Sequence, residues 1–275
     1  MGKETKISWS DHTWNVARGC TKVDSDCKFC YMYRDGERFK YDAKNVIRTK
    51  TVFNLPLKIK EPSRIFTSSL TDFFHEEIDD YRNEAWDIIR KCPQHTFQIL
   101  TKRPERIMNC LPEFWDEIRN RCWLGTSVGS QEGITRALEL IKLRDLAPTL
   151  FLSIEPLHSE ISFRWAYVAP DEKKRLEEFE GNLKMVTSQH ELLMNINWVI
   201  IGGESGNETG KYRYRPCKLK WIEQIVTECK EAKVPVFVKQ LGTHLAKEMK
   251  LKDRHGADFN EFPEHLRIQE FPYDI

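Results

Sequence analysis

Three cysteines stand close together near the start of the chain, in the stretch GCTKVDSDCKFCYMY (residues 19–33). Cys20, Cys27 and Cys30 have the spacing C-x6-C-x2-C, and no fourth cysteine or histidine stands beside them. Thiolates are ligands of zinc and of iron–sulfur clusters. A cluster of thiols is less typical of inert, buried cysteines. We therefore predict that these three residues bind a metal centre.

The kind of metal depends on the fourth ligand. A structural zinc site needs four protein ligands, and the fourth would come from a histidine or from Cys92, Cys110, Cys122, Cys217 or Cys229. A 4Fe-4S cluster held by three thiolates instead leaves one iron open for a small molecule. The amine and carboxylate of S-adenosyl-L-methionine would chelate that iron, and electron transfer would then give an adenosyl radical. The spacing alone leaves both alternatives open.

The elements that must position these cysteines are short apolar runs, each of which ends in small or polar residues. The runs are RIFTSSL (64–70), HTFQILTK (95–102), CWLGTSV (122–128), TLFLSIEP (149–156), WVIIGGES (198–205) and VPVFVKQLG (234–242). Such runs are typical of parallel strands that are buried on both faces. A short first strand around TWNV brings the number to six or seven.

Helical patterns alternate with these runs, in DDYRNEAWDIIRKC, PEFWDEIRNR, SQEGITRALELIKLRDL and CKLKWIEQIVTECKEAK. Strand–helix alternation predicts an α/β fold with a parallel sheet. We predict an open, partial β/α barrel of about six parallel strands over residues 1–242, with the cysteine loop at 19–31. A helical insertion at 157–197 and a C-terminal extension at 243–275, packed on the barrel, complete the predicted organisation.

Composition limits the class of protein. The chain has 275 residues, is 40% hydrophobic and carries a formal net charge of +1, which is typical of a globular protein. It contains no apolar run near the ~20 residues that cross a bilayer, and its first residues lack the apolar core of a secretory signal. We therefore expect a cytoplasmic location, no membrane partner and reduced cysteines. The sequence does not predict an oligomeric state.

Ligands of parallel β/α folds bind beyond the carboxyl ends of the strands, and this rule selects several polar residues. Ser68, Ser69 and Asp72 follow the first long run, where they would accept hydrogen bonds from the amino group of a cofactor. The alternative is an ordinary helix start with Thr71 or Asp72 as the N-cap. Both interpretations are compatible with the sequence.

Two further runs end in candidate site residues. Gly202, Gly203 and Glu204 would allow a cofactor to approach the backbone, although a tight turn with a solvated glutamate is the alternative. Glu155 and Lys239 are candidates for substrate contact or proton transfer, and the alternative for them is a structural ion pair.

Basic residues suggest a class of substrate. Lys102 and Arg103 form a basic strand end, and KYRYRP (211–216) alternates basic and aromatic side chains. Such mixtures bind phosphates and stack on bases, although a solvated loop would have the same composition. Nucleic acid is the partner that this pattern favours.

The chain also resembles known families. Its three cysteines, with Phe29 before the last one, resemble the motif of radical-SAM enzymes, although their usual spacing is C-x3-C-x2-C. TKISWSDHTWN, the cysteine stretch, SLTDFFHE, FLSIEPL, WVIIGGESG and VPVFVKQLG together resemble the family named after phage gene products thirty-seven and sixty-eight, over residues 5–242.

These resemblances imply a cluster-binding, radical-SAM-like β/α barrel. They imply that SSLTD occupies the place of the segment that binds the methionine amino group. They also imply a flavodoxin- or ferredoxin-like electron donor. The expected function is radical chemistry, with modification or repair of a nucleic-acid base as the first choice. The alternative is a non-catalytic, zinc-stabilised module that binds nucleic acid or protein.

Overall fold

The computed structural model describes residues 5, 7–163 and 192–273 of the chain. The fold is α/β, and nine strands lie within the described residues. They are β1 His12–Trp14, β2 Ala17–Arg18, β3 Ile47–Arg48, β4 Arg64–Thr67, β5 Thr96–Thr101, β6 Cys122–Ser127, β7 Leu150–Leu157, β8 Trp198–Gly203 and β9 Val236–Gln240. The predicted first strand and all six predicted runs are confirmed as strands.

Seven of these strands form one parallel sheet in the order β1-β4-β5-β6-β7-β8-β9. Within this sheet, the seven strands lie side by side in the order in which they occur along the chain, which is the winding of a β/α barrel. The sheet curls into a half-barrel with β1 and β9 at its two edges. The predicted partial open barrel is thus confirmed, with seven parallel strands. The remaining two strands, β2 and β3, form a small antiparallel pair.

Six α-helices lie within the described residues: α1 Tyr31–Phe39, α2 Asp79–Lys91, α3 Trp115–Ile118, α4 Ile134–Ile141, α5 Leu219–Glu231 and α6 Gly242–Glu248. The sequence pattern predicted four of them. The helix in PEFWDEIRNR is shorter than its pattern, because the chain tightens into a 3₁₀ turn at Arg119–Arg121 before β6 starts. Helix α1, which contains Gly36, was not predicted. This glycine is needed there, because an added Cβ would lie 2.9 Å from the Cβ of Ala43.

The side chains of the sheet alternate between two apolar layers, as the period of a strand requires. One layer packs against the helices and contains residues such as Ile99, Leu124 and Ile154. The other layer lies on the opposite face and is rich in aromatic rings: Trp9, Phe66, Trp123, Phe151, Trp198, Ile200 and Phe237. Gly125 belongs to this second face, where an added Cβ would lie 2.4 Å from the Phe151 ring. Aromatic packing therefore fills the inner face of the half-barrel.

The same alternation shows on which face of the sheet the residues at the strand ends lie. Lys102 is two positions after Leu100, Glu155 is four after Phe151, and Lys239 is two after Phe237, so each shares the inner face with the aromatic layer. Lys102 directly follows β5, and Glu155 and Lys239 lie in the last residues of β7 and β9. The mouth of the half-barrel therefore carries two lysines and one glutamate.

Most of the predicted insertion at 157–197 lies outside the described residues. Its two described ends contribute buried side chains, including Ile161 and Leu193, to the outer core. The segment after β9 packs on the barrel, where Leu266 is buried and the indole of Trp198 donates to the carbonyl of Glu270 at 2.8 Å. Across the ranges given above, no helix combines the length and apolar character needed to cross a membrane.

Candidate functional site

The cysteine loop lies beside the carboxyl end of β4. The amide of Gly19 donates to the carbonyl of Leu70 at 3.0 Å, and the amide of Cys20 donates to the carbonyl of Ala43 at 2.9 Å. Gly19 has φ +110°, and a Cβ there would lie 2.2 Å from the carbonyl oxygen of Asn45. Only glycine fits this close backbone crossing. The first cysteine is thereby held at the mouth of the half-barrel.

Tyr33 lies within electrostatic range of all three cysteines. Its hydroxyl donates to the carbonyl of Cys20 at 2.6 Å. The pKa of Tyr33 is raised to about 12, mainly because the side chain is desolvated and to a smaller extent by the charges of Cys20, Cys30 and Cys27. All three cysteines are half-buried and unbonded to one another. Cys30 is also the N-cap of α1, so it lies at the positive end of the helix dipole.

The thiols share one neighbourhood without forming a closed ligand set. Over the described ranges, no three His, Cys, Asp or Glu side chains are grouped closely enough to hold a metal ion. Burial and the negative charge of Asp72 raise the pKa of Cys20 to about 11, against the opposing effect of Arg103. The free Cys20 is therefore a thiol at neutral pH, and metal binding would have to displace its proton.

Arg103, the second residue after β5, joins the cysteine loop to the sheet. Its guanidinium donates to the carbonyl of Thr21 at 3.2 Å and to the hydroxyl of Thr21 at 2.8 Å, and it lies 3.8 Å from the sulfur of Cys20. Its charge is balanced by Asp72 at 3.2 Å, and both side chains are 7% exposed. The basic strand end that the sequence indicated is thus already engaged with the loop at Arg103.

Asp72, a predicted cofactor ligand, is fully bonded within the protein. Its carboxylate accepts from the amides of Phe74 at 3.0 Å and Lys102 at 2.9 Å, from the hydroxyl of Thr101 at 2.6 Å, and from Arg103. The bond to Phe74 is a local turn. The predicted N-cap role of Thr71 or Asp72 is wrong, because the next helical turn starts after His75, whose side chain accepts from the amide of Glu77. Asp72 therefore positions Arg103 and the end of β5.

Ser68 and Thr71 differ from Asp72, because their hydroxyls have no partner. Ser68 is 4% exposed and has φ +74°, a strained conformation for a residue with a side chain. Its Oγ and the Oγ1 of Thr71 are buried without any hydrogen bond within the described structure. Ser69 is instead engaged: its hydroxyl bonds Asn15 at 3.1 Å, and its carbonyl accepts from the hydroxyl of Tyr31. Two unsatisfied hydroxyls thus remain beside the cysteine loop, where a ligand could bond them.

The six-residue gap between the first two cysteines contains a buried anchor. Asp26 accepts from the amide of Gly129 at 3.0 Å and the hydroxyl of Ser130 at 3.1 Å, and it pairs with Arg136 and with His158 at 2.7 Å. Burial alone would raise the pKa of Asp26, but the hydrogen bonds from His158 and Gly129 lower it below its ordinary value. The long gap therefore ties the loop to the ends of β6 and β7. Asp26 was not predicted as a site residue; the Asp-Ser-Asp before Cys27 is its only local signal.

Glu204 anchors the loop from the other side. It forms a bidentate pair with Arg215, at 2.8 and 2.9 Å. Arg215 also donates to the carbonyls of Ser25 at 3.3 Å and Asp26 at 3.5 Å, and it lies 5.4 Å from the centre of the Phe29 ring. Glu204 is thus a positioning residue that connects the KYRYRP segment with the cysteine loop.

The two glycines before Glu204 serve close packing inside the protein. A Cβ on Gly203 would lie 2.1 Å from the carbonyl oxygen of Leu241, and a Cβ on Gly202 would lie 3.2 Å from the carboxyl carbon of Glu155. Gly203 therefore lets the turn after β9 cross the end of β8. Gly202 leaves room for the side chains at the mouth.

Glu155 and Lys239 pair across that space. The ammonium of Lys239 lies 2.5 Å from Oε1 of Glu155, with side chains 20% and 16% exposed. Desolvation of its hydroxyl end, with the nearby charges of Cys30 and Glu155, raises the pKa of Tyr31. Glu155 is thereby within electrostatic range of the cysteine loop. Lys102 makes no hydrogen bond through its ammonium to the described residues, although its charge lowers the pKa of Asp26 as a minor contribution.

Comparisons with known proteins give a family and no function. No curated protein and no solved structure matches the chain. A family model matches residues 4–264, which is nearly the whole chain, and its description is protein of unknown function (DUF5131). The half-barrel and its anchored cysteine loop both lie within the matched range. The chain therefore belongs to the DUF5131 family.

Proposed function

We propose that this protein is a radical S-adenosylmethionine enzyme in which Cys20, Cys27 and Cys30 hold a 4Fe-4S cluster. The observation that carries the proposal is the combination of three half-buried cysteines in one loop, all within electrostatic range of Tyr33, with two unpartnered, buried hydroxyls, those of Ser68 and Thr71. Both features lie at the carboxyl ends of the strands, where β/α folds bind their ligands. The resemblance of the cysteine motif to that of radical-SAM enzymes points the same way.

The residues present fit such a cluster in type. Three thiolates are the ligands that iron–sulfur clusters take, and three of them leave one iron free for S-adenosylmethionine. Cys30 lies at the positive end of the α1 dipole, and Arg103 beside Cys20 partly offsets the burial and the Asp72 charge that raise the pKa of that thiol. When bound, cluster and S-adenosylmethionine would together supply a carbon radical that abstracts hydrogen from a substrate.

The chain's own residues would bind and orient the reactants. The free hydroxyl oxygens of Ser68 and Thr71 would accept hydrogen bonds from the ammonium of the methionine moiety, which would satisfy both buried groups. Asp72 and Arg103 would keep Cys20 in place. The carboxylate of Glu155 would accept a proton from the substrate, with the ammonium of Lys239 held beside Oε1.

The substrate proposed first is a nucleic-acid base, which would enter the mouth between the cysteine loop and Lys239. The electron would come from a flavodoxin- or ferredoxin-like donor that docks near the half-buried cysteines. Lys102, whose ammonium bonds none of the described residues, would offer a phosphate or carboxylate an ion pair inside the mouth.

Metal analysis tests this proposal most directly. We expect anaerobically purified protein to be brown, with about four irons and four sulfides per chain, and to release 5′-deoxyadenosine from S-adenosylmethionine after reduction. Cys27→Ala should lose both the colour and the product. Cys110→Ala, which changes a half-buried cysteine outside the loop, should keep both. A colourless protein with one equivalent of zinc would refute the proposal and favour the zinc-stabilised module.

A further inference from the structure

Aromatic rings and basic side chains alternate over the surface around the cysteine loop. This surface, called the basic–aromatic rim below, is formed by two segments that are distant in sequence. Its residues are Lys22, Lys28, Phe29, Tyr33, Lys211, Tyr212, Arg213 and Arg215.

Cations lie over three rings of the rim. The ammonium of Lys22 is 4.7 Å from the ring centre of Tyr33, and that of Lys28 is 5.3 Å from Phe29. In the second segment the ammonium of Lys211 is 5.3 Å from the ring of Tyr212. Each of these rings is half-exposed, and each of the three lysines is exposed. Every ring is therefore partly accessible to solvent and has a positive charge close to its centre.

The structure joins the two segments into one surface. Lys211 pairs with Glu37 on α1, and the hydroxyl of Tyr212 donates to the same carboxylate at 2.8 Å. Arg215 bonds the carbonyl of Ser25 in the cysteine loop at 3.3 Å, across 190 positions of sequence. The KYRYRP segment is thereby held against the cysteine loop, which its sequence did not indicate.

The charge of the rim is positive after internal pairing is counted. Four carboxylates next to the rim are engaged: Glu37 with Lys211, Glu204 with Arg215, and both Asp24 and Asp26 with Arg136. Lys22, Lys28 and Arg213 form no ion pair with any carboxylate in the part of the chain that the structure describes. Three cations are thus left for an external anion.

We infer that the basic–aromatic rim binds single-stranded nucleic acid, with phosphates at the free cations and unstacked bases on the rings. An acidic peptide would use the cations but would leave the π-faces without a role, whereas every base can stack on them. A duplex keeps its bases stacked inside and would reach the cations only. The inference rests on the proposed function for its chemistry, since it names that function's substrate class, but the binding itself requires no cluster.

Fluorescence anisotropy with labelled oligonucleotides of ~12 residues tests the inference, in the size range of single-strand sites. Poly-dT and poly-rU form separate arms that distinguish DNA from RNA. We expect at least one single strand to bind more than tenfold more tightly than a duplex of equal length. Replacing Lys22 and Lys28 by serine should lower the salt dependence of binding by up to about 1.4 in slope, or about 0.7 per lost phosphate contact. Serine at Lys91 and Lys230, which lie in the last turns of α2 and α5 at the opposite end of the barrel, should leave the slope unchanged.

Substitutions at Tyr212 distinguish base stacking from the attraction between phosphates and cations. Tyr212→Ala should weaken single-strand binding by about fivefold or more, whereas Tyr212→Phe keeps the ring and should retain binding. The inference would be overturned if duplex and single strand bound with equal affinity. It would also be overturned if poly-glutamate displaced the oligonucleotide and Tyr212→Ala left the affinity for the oligonucleotide unchanged. Iron content is measured on the same samples. Zinc-containing protein that binds the single strand would refute only the proposed function, and active iron–sulfur protein that binds no oligonucleotide would refute only this inference.

Discussion

The anchoring of the cysteine loop by Asp26 makes a quantitative prediction for Asp26→Asn. The Asp26 side chain is 1% exposed and that of its partner Arg136 is 9% exposed. Removing one charge of a buried pair costs about 3–5 kcal/mol, because the other charge stays buried. Asparagine keeps an oxygen for Gly129 or Ser130, and Asp24 still pairs with Arg136. We therefore expect a loss of about 3 kcal/mol in the free energy of unfolding.

Urea unfolding at pH 7 measures this loss, and hydrogen exchange over residues 20–30 locates it. Asp24→Asn is the matched control in the same loop; its side chain is 31% exposed, and asparagine can still cap the 3₁₀ turn, so we expect less than about 1 kcal/mol. The double variant Asp26→Asn/Arg136→Met should lose at least about 1 kcal/mol less unfolding free energy than the sum of the losses in the two single variants.

The sign of the pH dependence supplies a second check on Asp26. Its pKa is lowered in the folded protein, so its contribution is complete above the unfolded pKa of about 3.9 and is lost as pH falls through the folded pKa. The difference between the parent protein and Asp26→Asn should therefore persist from pH 7 to about pH 5 and narrow only below about pH 4. An Asp26→Asn protein within about 0.5 kcal/mol of its parent, with unchanged exchange in the loop, would show that the loop is not held by this carboxylate.

Three further predictions concern other parts of the fold. Glu155→Gln leaves the ammonium of Lys239 unpaired at the mouth and should lower the unfolding free energy by about 1–3 kcal/mol in urea; parent-like stability would mean that the pair is solvated. Burial lowers the pKa of His95, so its stabilising effect is complete above about pH 6.5 and falls with acid as the unfolded state takes up the proton. The decline in unfolding free energy from pH 7 to 5 should be shallower in His95→Gln, by at most about 1.4 kcal/mol per pH unit, and identical slopes would contradict the assignment. Gly203→Ala should lower the unfolding free energy, measured by thermal unfolding, by at least about 2 kcal/mol, because the added Cβ would lie 2.1 Å from a backbone oxygen. In the control Gly206→Ala the nearest atom is 3.5 Å away, and the loss should be less than about 1 kcal/mol. Equal losses in the two variants would disprove the close crossing.

Strands were predictable from sequence because their burial is local. A parallel strand covered on both faces needs four to six consecutive apolar residues, and runs such as WVIIGG leave few alternatives. Helix α1 was missed because its burial depends on contacts at Gly36 that its own sequence pattern does not contain. The helix in PEFWDEIRNR was overestimated, since its spacing says nothing about where β6 must begin.

Candidate residues were harder to predict, because their partners lie far away along the chain. The ends of parallel strands selected Asp72, Glu155, Glu204 and Lys239 as polar positions at one edge. Whether each of them is free for a ligand depends on what lies opposite, and that is set by sheet order. Asp72 and Glu204 bond Arg103 and Arg215, respectively, within the protein, whereas Ser68 is left without a partner.

The sequence by itself determined the α/β class, the strand positions and the three thiols near the first strand, because residue type and local spacing encode these features. The tertiary structure alone decided what surrounds the thiols. Asp26 meets Gly129 across 103 positions, and Arg103 meets Cys20 across 83. Such contacts arise only after the crossovers have brought the strand ends to one edge, since no local pattern records the distance between residues that far apart.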